Sequence, residues 1–459
     1  MKNRIILFLL TGICGLSLVS CLSGDEYDYT QLTDCQISAF TLTNDSVPGL
    51  NDVRFTIDQI NGYIYNIDSM PVGTEIKNVL CQVSVNAGAG SIEISPEALG
   101  DTTYYWNSTD SIDFSKPVRF TVNSAYNNSS SKSYLAWVNI HTIVPDFMQW
   151  NQVTQEMLGE SSLEQKVIPY TYNDEKVYFQ YIKNSSNQFE LYYSTADDLQ
   201  YWEELPLTGL SDININLYQL TACGDYLYLP NRNGGVLRSE NGLDWEAYST
   251  PEMPNIVGIF GMVNSSATQP DIMLSALALS NGIYSFAAMD TSGQWILGEE
   301  VPESFPINDF ASANYENVNH AYLNIAGGTS AAKLLQNSCW TTTDGYSWVQ
   351  LSSENGMNFS SREGAMLAFY DNKLMLIGGI DSNGRALKDI YLSTDRGLTW
   401  AVSDTMVVMP ENFAARGYSS ICMDDEKYIL LFGGKTSSSA RTMDDIWKGR
   451  INRLGFDEE

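Results

Sequence analysis

A tryptophan that closes a short turn-prone segment recurs through the C-terminal two thirds of the chain. The clearest copy, Ser393–Trp400, has the pattern Ser-x-Asp-x-Gly-x-x-Trp, and shorter copies occupy Ser239–Trp245 and Thr342–Trp348. Looser copies span Ser194–Trp202 and Asp290–Trp295. The five tryptophans are separated by 43, 50, 53 and 52 residues. Self-similarity at such a period predicts an array of repeated units that bury their hydrophobic faces against one another.

Apolar strands that end in two glycines precede several of these segments, as in Leu374–Gly379, Ile429–Gly434 and Ile325–Gly328. These strands resemble kelch repeats, and the tryptophan-closed segments are similar to the Asp-box of sialidase-like propellers. Both resemblances imply four-stranded propeller blades. The Asp-box implies a tight turn in which Asp or Asn caps backbone amides, glycine takes a positive φ and tryptophan packs between sheets. Because this box lies at the rim of known propellers, it implies no catalysis.

Each of the five tryptophans indicates one blade. The two ends of the repeat region together predict a sixth. Gly433 and Gly434 are followed by Asp445–Trp447, which aligns with Asp389–Tyr391, and too few residues follow to supply a fourth strand. Trp150 lies 52 residues before Trp202. We therefore expect the segment around Trp150 to supply the outer strand of the last blade. Residues 146–459 are predicted to form a six-bladed propeller.

Residues 30–145 are predicted to form a small Ig-like β-sandwich, so the whole chain is expected to be all-β. Segments rich in β-branched and aromatic residues alternate there with turn-prone residues. The segments are Gln36–Leu42, Val53–Ile57, Val79–Val85, Ser91–Ile94, Pro117–Val122 and Ser133–Ile140. Cys35 and Cys81 could be joined by a disulfide in an oxidising compartment or could be buried thiols.

Four motifs in this first domain resemble the N-terminal domain of uncharacterised Bacteroidota lipoproteins. They are Tyr63–Tyr65, Pro71–Thr74, Asp113–Ser115 and Tyr134–Val138. That family is a domain of unknown function, so the resemblance implies a fold and a cellular address but no activity. A spacer is the expected role of this domain.

Residues 1–20 are predicted to be a signal peptide, with Lys2 and Arg4 before an apolar run that ends at small residues. The run closes at Cys21 in a pattern that resembles the lipobox of bacterial lipoproteins, whose cysteine carries the lipid. Residues 21–29 then form an acidic tether, similar to signals that send lipoproteins to the cell surface. The expected location is the outer membrane, with the chain lipid-anchored and exposed at the cell surface.

Charge and residue usage exclude several classes of partner and chemistry. The chain has 25 Lys and Arg against 55 Asp and Glu, a net charge of -30. Such a charge repels phosphate backbones, so no nucleic acid partner is expected. Only two histidines occur, and the cysteines show no metal-like spacing. No metal and no cofactor are therefore expected.

The candidate site lies at the predicted blade starts, where propellers bind ligands. Arg362 and Arg416 hold equivalent positions 54 residues apart. Two guanidiniums near one channel mouth could clamp a carboxylate or sulfate. Alternatively, each arginine pairs with an acidic residue of the next blade as part of the scaffold. Glu363 and Tyr418 are close enough in sequence to join either arrangement.

Tyrosines near the blade starts are candidates for stacking on sugars, although tyrosines in strands are often half-buried. The residues concerned are Tyr218, Tyr315 and Tyr418. A sialidase is disfavoured because only two arginines align, and a kelch-type copper oxidase because histidines are scarce.

We expect a surface lipoprotein whose propeller binds a glycan or a protein. The alternative is a hydrolase or lyase that acts on polysaccharide at the propeller mouth. Two or more carboxylates with an arginine at the mouth would favour the enzyme, and a flat aromatic mouth would favour binding.

Overall fold

The computed structural model describes residues 34–100, 102–125, 130–159, 161–351 and 356–452. The chain divides into two compact units between Val144 and Pro145. The predicted signal peptide, the lipidation site Cys21 and the tether 21–29 lie outside the described residues. Within the described ranges, no helix has the length and apolar character needed to cross a membrane.

The first unit is a sandwich of two β-sheets. Its strands are β1 (Ile37–Thr43), β2 (Phe55–Asp58), β3 (Tyr63–Asn66), β4 (Val79–Val85), β5 (Ala89–Pro96), β6 (Tyr104–Tyr105), β7 (Ser111–Ile112), β8 (Val118–Ser124) and β9 (Ser131–Ala136). One sheet has the order β1-β4-β7 and the other β2-β3-β9-β8-β5-β6. In β8, Val118, Phe120 and Val122 alternate with more exposed residues, so one face of the sheet supplies the core.

The core of the sandwich is built around three phenylalanines. Phe40 contacts Phe114 and Phe120 edge-on, with ring centroids 6.2 and 5.5 Å apart. Cys35 and Cys81 are separate buried thiols, so the disulfide considered from the sequence does not form. The Cys35 thiol donates instead to the carbonyl of Ser130.

Between residues 148 and 451, the described chain forms six sheets of the propeller, which we number as blades in chain order. Blade 1 contains β11 (Glu164–Tyr172), β12 (Glu175–Lys183), β13 (Phe189–Thr195) and β14 (Glu203–Leu205). Blade 2 contains β15 (Thr221–Cys223), β16 (Tyr226–Pro230), β17 (Val236–Ser239) and β18 (Glu246–Tyr248). Blade 3 contains β19 (Ile256–Val263), β20 (Met273–Ser280), β21 (Ile283–Asp290) and β22 (Trp295–Glu300).

The second half of the ring repeats this plan with small additions. Blade 4 contains β24 (Ala311–Glu316), β25 (Ala321–Ala326), β27 (Cys339–Thr342) and β28 (Val349–Leu351). Beside it, β23 (Pro306–Asn308) pairs with β26 (Thr329–Ser330). Blade 5 contains β29 (Arg362–Glu363), β30 (Met366–Tyr370), β31 (Lys373–Asp381), β32 (Ala386–Ser393) and β33 (Ala401–Val402). Blade 6 contains β34 (Ser420–Met423), β35 (Ile429–Gly434), β36 (Met443–Ile451) and β10 (Met148–Thr154).

The second strand of a blade is packed on both faces because each blade lies between two others. All six residues of β35 are buried, and so are seven consecutive residues of β12, from Val177 to Lys183. Such strands read as continuous apolar runs rather than alternating patterns. This explains the Ile-Leu-Leu-Phe and Leu-Met-Leu-Ile runs that precede the double glycines.

The ring is closed by the strand that precedes blade 1 in sequence. β10 pairs antiparallel with β36, and Trp150 lies opposite Gly449. A Cβ on Gly449 would come within 2.3 Å of the Trp150 ring, so glycine leaves the space that the indole fills. The closure predicted from the position of Trp150 is confirmed.

The tryptophan-closed segments form the turns between third and fourth strands. In Ser393–Trp400, the hydroxyl of Ser393 accepts a hydrogen bond from the amide of Gly397 at 2.7 Å, and Asp395 accepts one from the amide of Thr399 at 2.8 Å. The Trp400 indole donates to the Gly397 carbonyl at 3.0 Å. These bonds fix the turn and hold the indole between blades.

Helical content is small, and the all-β fold class is confirmed. Among the described residues, helical turns are limited to 3-10 helices at Leu50–Asp52, Glu97–Leu99 and Leu217–Gln219.

Candidate functional site

The two arginines selected from the sequence are buried in the scaffold and do not face a ligand. Arg362 and Arg416 are 0% and 1% exposed. Each forms a bidentate ion pair with an aspartate in the third strand of its own blade. Arg362 pairs with Asp389, and Arg416 pairs with Asp445. The partner thus belongs to the same blade and not, as the scaffold alternative assumed, to the next one.

All the donor groups of Arg362 are in use. Besides Asp389, its guanidinium donates to the carbonyl of Ser360 at 2.9 Å, the hydroxyl of Ser360 at 2.6 Å and the carbonyl of Gly378 at 2.8 Å. Arg416 repeats the plan with the carbonyls of Ala414 and Gly433, each at 2.9 Å. A guanidinium has five N–H groups, so Arg362 has none left for a ligand. We call Arg362–Asp389 and Arg416–Asp445 the Arg–Asp pairs.

A second polar cluster lies at the end of the central channel where the innermost strands begin. Some members directly precede innermost strands, and others follow second strands, which run in the opposite direction and end there. We call this set the mouth cluster: Tyr218, Arg232, Asp309, Glu363, Tyr418 and Lys435. It draws on blades 2, 4, 5 and 6.

Tyr418 is held in place by its unusual backbone. Its φ is +60°, and its amide donates to the carbonyl of Gly364 at 2.6 Å. The Tyr418 ring covers Gly364, which itself has a φ of +60° and whose added Cβ would lie 2.6 Å from the ring. Glycine is therefore required at 364 both for the backbone conformation and for the approach of the ring.

Two carboxyl groups flank the Tyr418 hydroxyl. Asp309 also accepts a hydrogen bond from the hydroxyl of Thr329 at 3.2 Å. Burial raises the pKa of Asp309, while its interactions with Arg232, Lys435 and Tyr418 act in the opposite direction. Burial and the neighbouring charge of Asp309 raise the pKa of Glu363, and its interaction with Tyr418 opposes that rise.

Lys435 places a positive charge over two aromatic rings. Its Nζ lies 5.6 Å from the ring centroids of both Tyr218 and Tyr418. Burial lowers the pKa of Lys435, and the charges of Glu164 and Asp309 partly restore it. Arg232 adds a second positive charge and donates to the side chain of Asn216 at 3.2 Å.

Tyr218 and Tyr418 meet although they belong to blades 2 and 6. Their ring centroids are 5.0 Å apart at an angle of 52°. The Tyr218 hydroxyl is buried and has no hydrogen-bond partner in the described structure, and the same is true of one carboxylate oxygen of Glu164. Buried polar atoms are rarely left unpaired in native proteins, so these two atoms have capacity for a hydrogen bond to water or to a ligand.

The tyrosine pair and Asp309 line a cavity of about 80 Å³ on the propeller axis. Sites that enclose a whole small-molecule ligand are larger, roughly 300–1,000 Å³. The cavity therefore accommodates an ion, a few waters or one end of a ligand whose remainder stays outside the mouth.

The sequence selected Tyr218, Glu363 and Tyr418, which the structure places in the mouth cluster. It missed Asp309, Lys435 and Arg232. Asp309 carried a usable signal. Phe305, Phe359 and Phe413 recur at intervals of 54 residues, and Asp309 follows Phe305 at the same distance as Glu363 follows Phe359. Arg232 and Lys435 come after the second strands of their blades, and the repeats have no common residue type at those positions.

Tyr315, the third tyrosine considered from the sequence, lies in the core. Its ring stacks on Phe369 with centroids 4.2 Å apart, and its side chain is 7% exposed. It lies within the innermost strand β24 and not at its start, because the true start of blade 4 is near Asp309. Tyr315 is therefore not a sugar-stacking residue.

Chemically, the mouth cluster combines hydrogen-bond acceptors, cationic donors and an aromatic pair. Carboxyl groups with raised pKa that flank a tyrosine hydroxyl can exchange protons with a bound group. Lysine and arginine can hold hydroxyl or carboxylate oxygens.

Comparison with known proteins identifies both units. Residues 144–459 match the family described as the DUF6242 beta propeller domain, and residues 28–138 match the DUF6242 N-terminal domain. No curated protein matches the sequence. In a comparison with solved structures, 300 chains match this one. One of them, described as "Structure of YjhT", is 13% identical, with a TM-score of 0.45, over 64% of this chain and 96% of that chain.

Proposed function

This chain belongs to the DUF6242 family, and we propose that its propeller binds the end of a glycan at the channel mouth. The observation that carries the proposal is the mouth cluster itself. Its polar groups converge from four blades. Among the described residues, the hydroxyl of its member Tyr218 and one carboxylate oxygen of the neighbouring Glu164 have no hydrogen-bond partner. Sugar hydroxyls both donate and accept hydrogen bonds, so they can satisfy carboxylates, ammonium and phenol groups at once.

The size of the axial cavity supports end-on binding. A cavity of about 80 Å³ cannot enclose a sugar ring with its substituents. A terminal group can enter between Tyr218 and Tyr418 while the rest of the glycan lies across the mouth. The aromatic faces of the two rings offer apolar contact to the C–H groups of the sugar.

A lipid anchor at Cys21 supplies the setting for this function. The proposal rests on the lipobox-like sequence at residues 18–21 and on the acidic tether that follows. The propeller, with its kelch-like strands and Asp-box-like turns, is then presented at the outer membrane surface by the N-terminal domain. A Cys21→Ala variant is expected to leave the membrane fraction, and protease treatment of whole cells is expected to cleave the wild-type protein.

Glycan binding is tested with a Cys21→Ala chain on a glycan array, followed by titration of any glycan that binds. Glu363→Gln and Asp309→Asn are each expected to weaken binding at least about tenfold, the effect of losing a charge-assisted hydrogen bond. Glu246→Gln, on the exposed β18, is the matched control and is expected to bind as the wild type does. Equal affinity of all four proteins would refute the site.

A second candidate, a hydrolase or lyase acting on polysaccharide, is favoured by one specific observation. Asp309 and Glu363 both have a raised pKa, and both lie beside the Tyr418 hydroxyl. Two carboxyls of this kind, with Arg232 nearby, can serve as proton donor and proton acceptor. New reducing ends or unsaturated products released from an array-positive polysaccharide, and lost in Glu363→Gln, would establish the enzyme. Binding without product would leave the lectin-like function.

A further inference from the structure

Lys166 lies on the wall of the axial cavity, deeper than the mouth cluster. It belongs to β11, the innermost strand of blade 1, and lines the same cavity of about 80 Å³ as Tyr218 and Tyr418. Among the described residues, none forms a hydrogen bond or ion pair with its ammonium group. Lys183 and Lys435, by contrast, have acidic groups nearby.

The groups around Lys166 do not compensate its charge. Burial lowers the pKa of Lys166, and the neighbouring group that acts on it is the thiol of Cys422. Burial raises the pKa of Cys422 to about 12, so this thiol carries no negative charge near neutral pH. Asp309 also lines the cavity, but it interacts with Arg232 and Lys435 at the mouth.

Lys166 is partly buried. An ammonium in such a position loses part of its hydration, and a nearby anion offsets that loss. The cavity offers further donors to such an anion. The Tyr218 hydroxyl is buried and has no hydrogen-bond partner in the part of the chain that the structure describes. The Ser420 hydroxyl accepts a hydrogen bond from the amide of Val167 at 2.8 Å. The hydroxyl proton of Ser420 is therefore free to donate to a group in the cavity.

We propose that the axial cavity is a binding site for one small monovalent anion, such as a halide, held by Lys166, Tyr218 and Ser420. The cavity has room for an ion of this size with one or two waters, and all three residues line it. The anion would sit under the mouth cluster and fix the Tyr218 ring from below. The same cavity is proposed above to receive the end of a glycan, so anion and glycan would compete for it. The test below uses no glycan, so its outcome does not depend on the proposed function.

The test has two parts, both on the Cys21→Ala chain. First, thermal unfolding is followed as chloride replaces gluconate at constant ionic strength, since gluconate is too large for the cavity. The midpoint is expected to rise with chloride concentration in the wild type, because a ligand that binds only the folded state stabilises it. Second, crystals grown with bromide are expected to show one anomalous peak beside Lys166.

Lys166→Met is expected to lose both the chloride-dependent rise and the bromide peak. Lys176→Met, which removes a lysine that is 69% exposed, is expected to keep both. Tyr218→Phe keeps the ring and removes one donor, so its midpoint should require several-fold more chloride to rise by the same amount. If Lys166→Met does not fold, Tyr218→Phe and the wild-type bromide peak decide the question. A wild-type cavity without bromide, or a peak that persists in Lys166→Met, would overturn the proposal.

Discussion

The Arg–Asp pairs and the mouth cluster are both polar and both largely buried, yet they differ in how their hydrogen bonds are met. In the pair Arg362–Asp389, all five guanidinium N–H groups have an acceptor. In the mouth cluster, the Tyr218 hydroxyl has no hydrogen-bond partner among the described residues. The pKa of Asp309 and that of Glu363 are raised, and the pKa of Lys435 is lowered. A satisfied network stabilises a blade, whereas an unsatisfied one leaves capacity for a ligand.

Removing one partner of an Arg–Asp pair should have the largest effect on stability. Arg362→Met leaves the Asp389 carboxylate and the Gly378 carbonyl without their donor, and we expect a loss of about 3–5 kcal/mol in the free energy of unfolding. Denaturant titration measures it. The control is Arg385→Met, which breaks an exposed Arg–Asp pair in the same blade and should cost about 1 kcal/mol or less. If both variants lost the same free energy of unfolding, burial of the Arg362–Asp389 pair would not contribute to stability.

Gly364→Ala should damage the mouth cluster through its backbone. A side chain at a φ of +60° and a Cβ 2.6 Å from the Tyr418 ring together should destabilise the chain by about 1–3 kcal/mol and displace the tyrosine. Gly384→Ala is the matched control, since it has a φ of +72° but no atom within 4 Å of its Cβ. Calorimetry of both variants separates backbone strain from the ring contact. Identical losses would contradict the proposed role of Gly364.

Substitutions of the mouth carboxyls should affect binding more than stability. Glu363→Gln should weaken glycan binding about tenfold, which is about 1.4 kcal/mol, while the free energy of unfolding stays the same or rises. Stability is kept because the substitution removes a charged group that is poorly compensated in the folded protein. Titration and denaturant unfolding of the same preparation test both halves. A large loss of stability without loss of binding would place Glu363 with the scaffold.

The pH dependence should show the smallest effect. A carboxyl with a raised pKa in the folded state binds more protons folded than unfolded, so its contribution to stability is full at low pH. It is lost as pH rises from about 4, the ordinary carboxyl range, through the raised pKa values of Asp309 and Glu363. As the pH rises, the free energy of unfolding of the wild type should therefore fall relative to that of the Asp309→Asn/Glu363→Gln double variant. A difference that grows in the opposite direction would refute the raised pKa values.

Much of the fold could be predicted because the repeats carry it. The double glycines, the tryptophans and the 52-residue offset of Trp150 located the blades and the strand that closes the ring. These features are local or periodic, and each has one physical cause: a turn, a buried indole or a buried strand. The parallel pairing of β3 with β9 in the first unit had no such signal, since it joins segments about 70 residues apart.

The candidate site was only half predictable for the same reason. Arg362 and Arg416 were selected because they recur at equivalent positions of two repeats. Residues that recur in this way belong to the scaffold, so their repetition was a misleading signal for a binding site. Lys435 and Arg232 do not repeat, and they meet Asp309 and Tyr418 only when the ring closes. Residues that differ between blades, at positions where the blades converge, are the better signal of function in a propeller.

The account rests on the claim that the mouth cluster, and not the Arg–Asp pairs, is where the ligand binds. The most direct measurement is a crystal structure of the Cys21→Ala chain with a glycan identified on the array. We predict that the terminal sugar contacts Glu363, Tyr418 and Lys435, with the Arg–Asp pairs unchanged. A glycan bound on the first domain or at the opposite end of the channel, with water alone at the mouth cluster, would contradict the account.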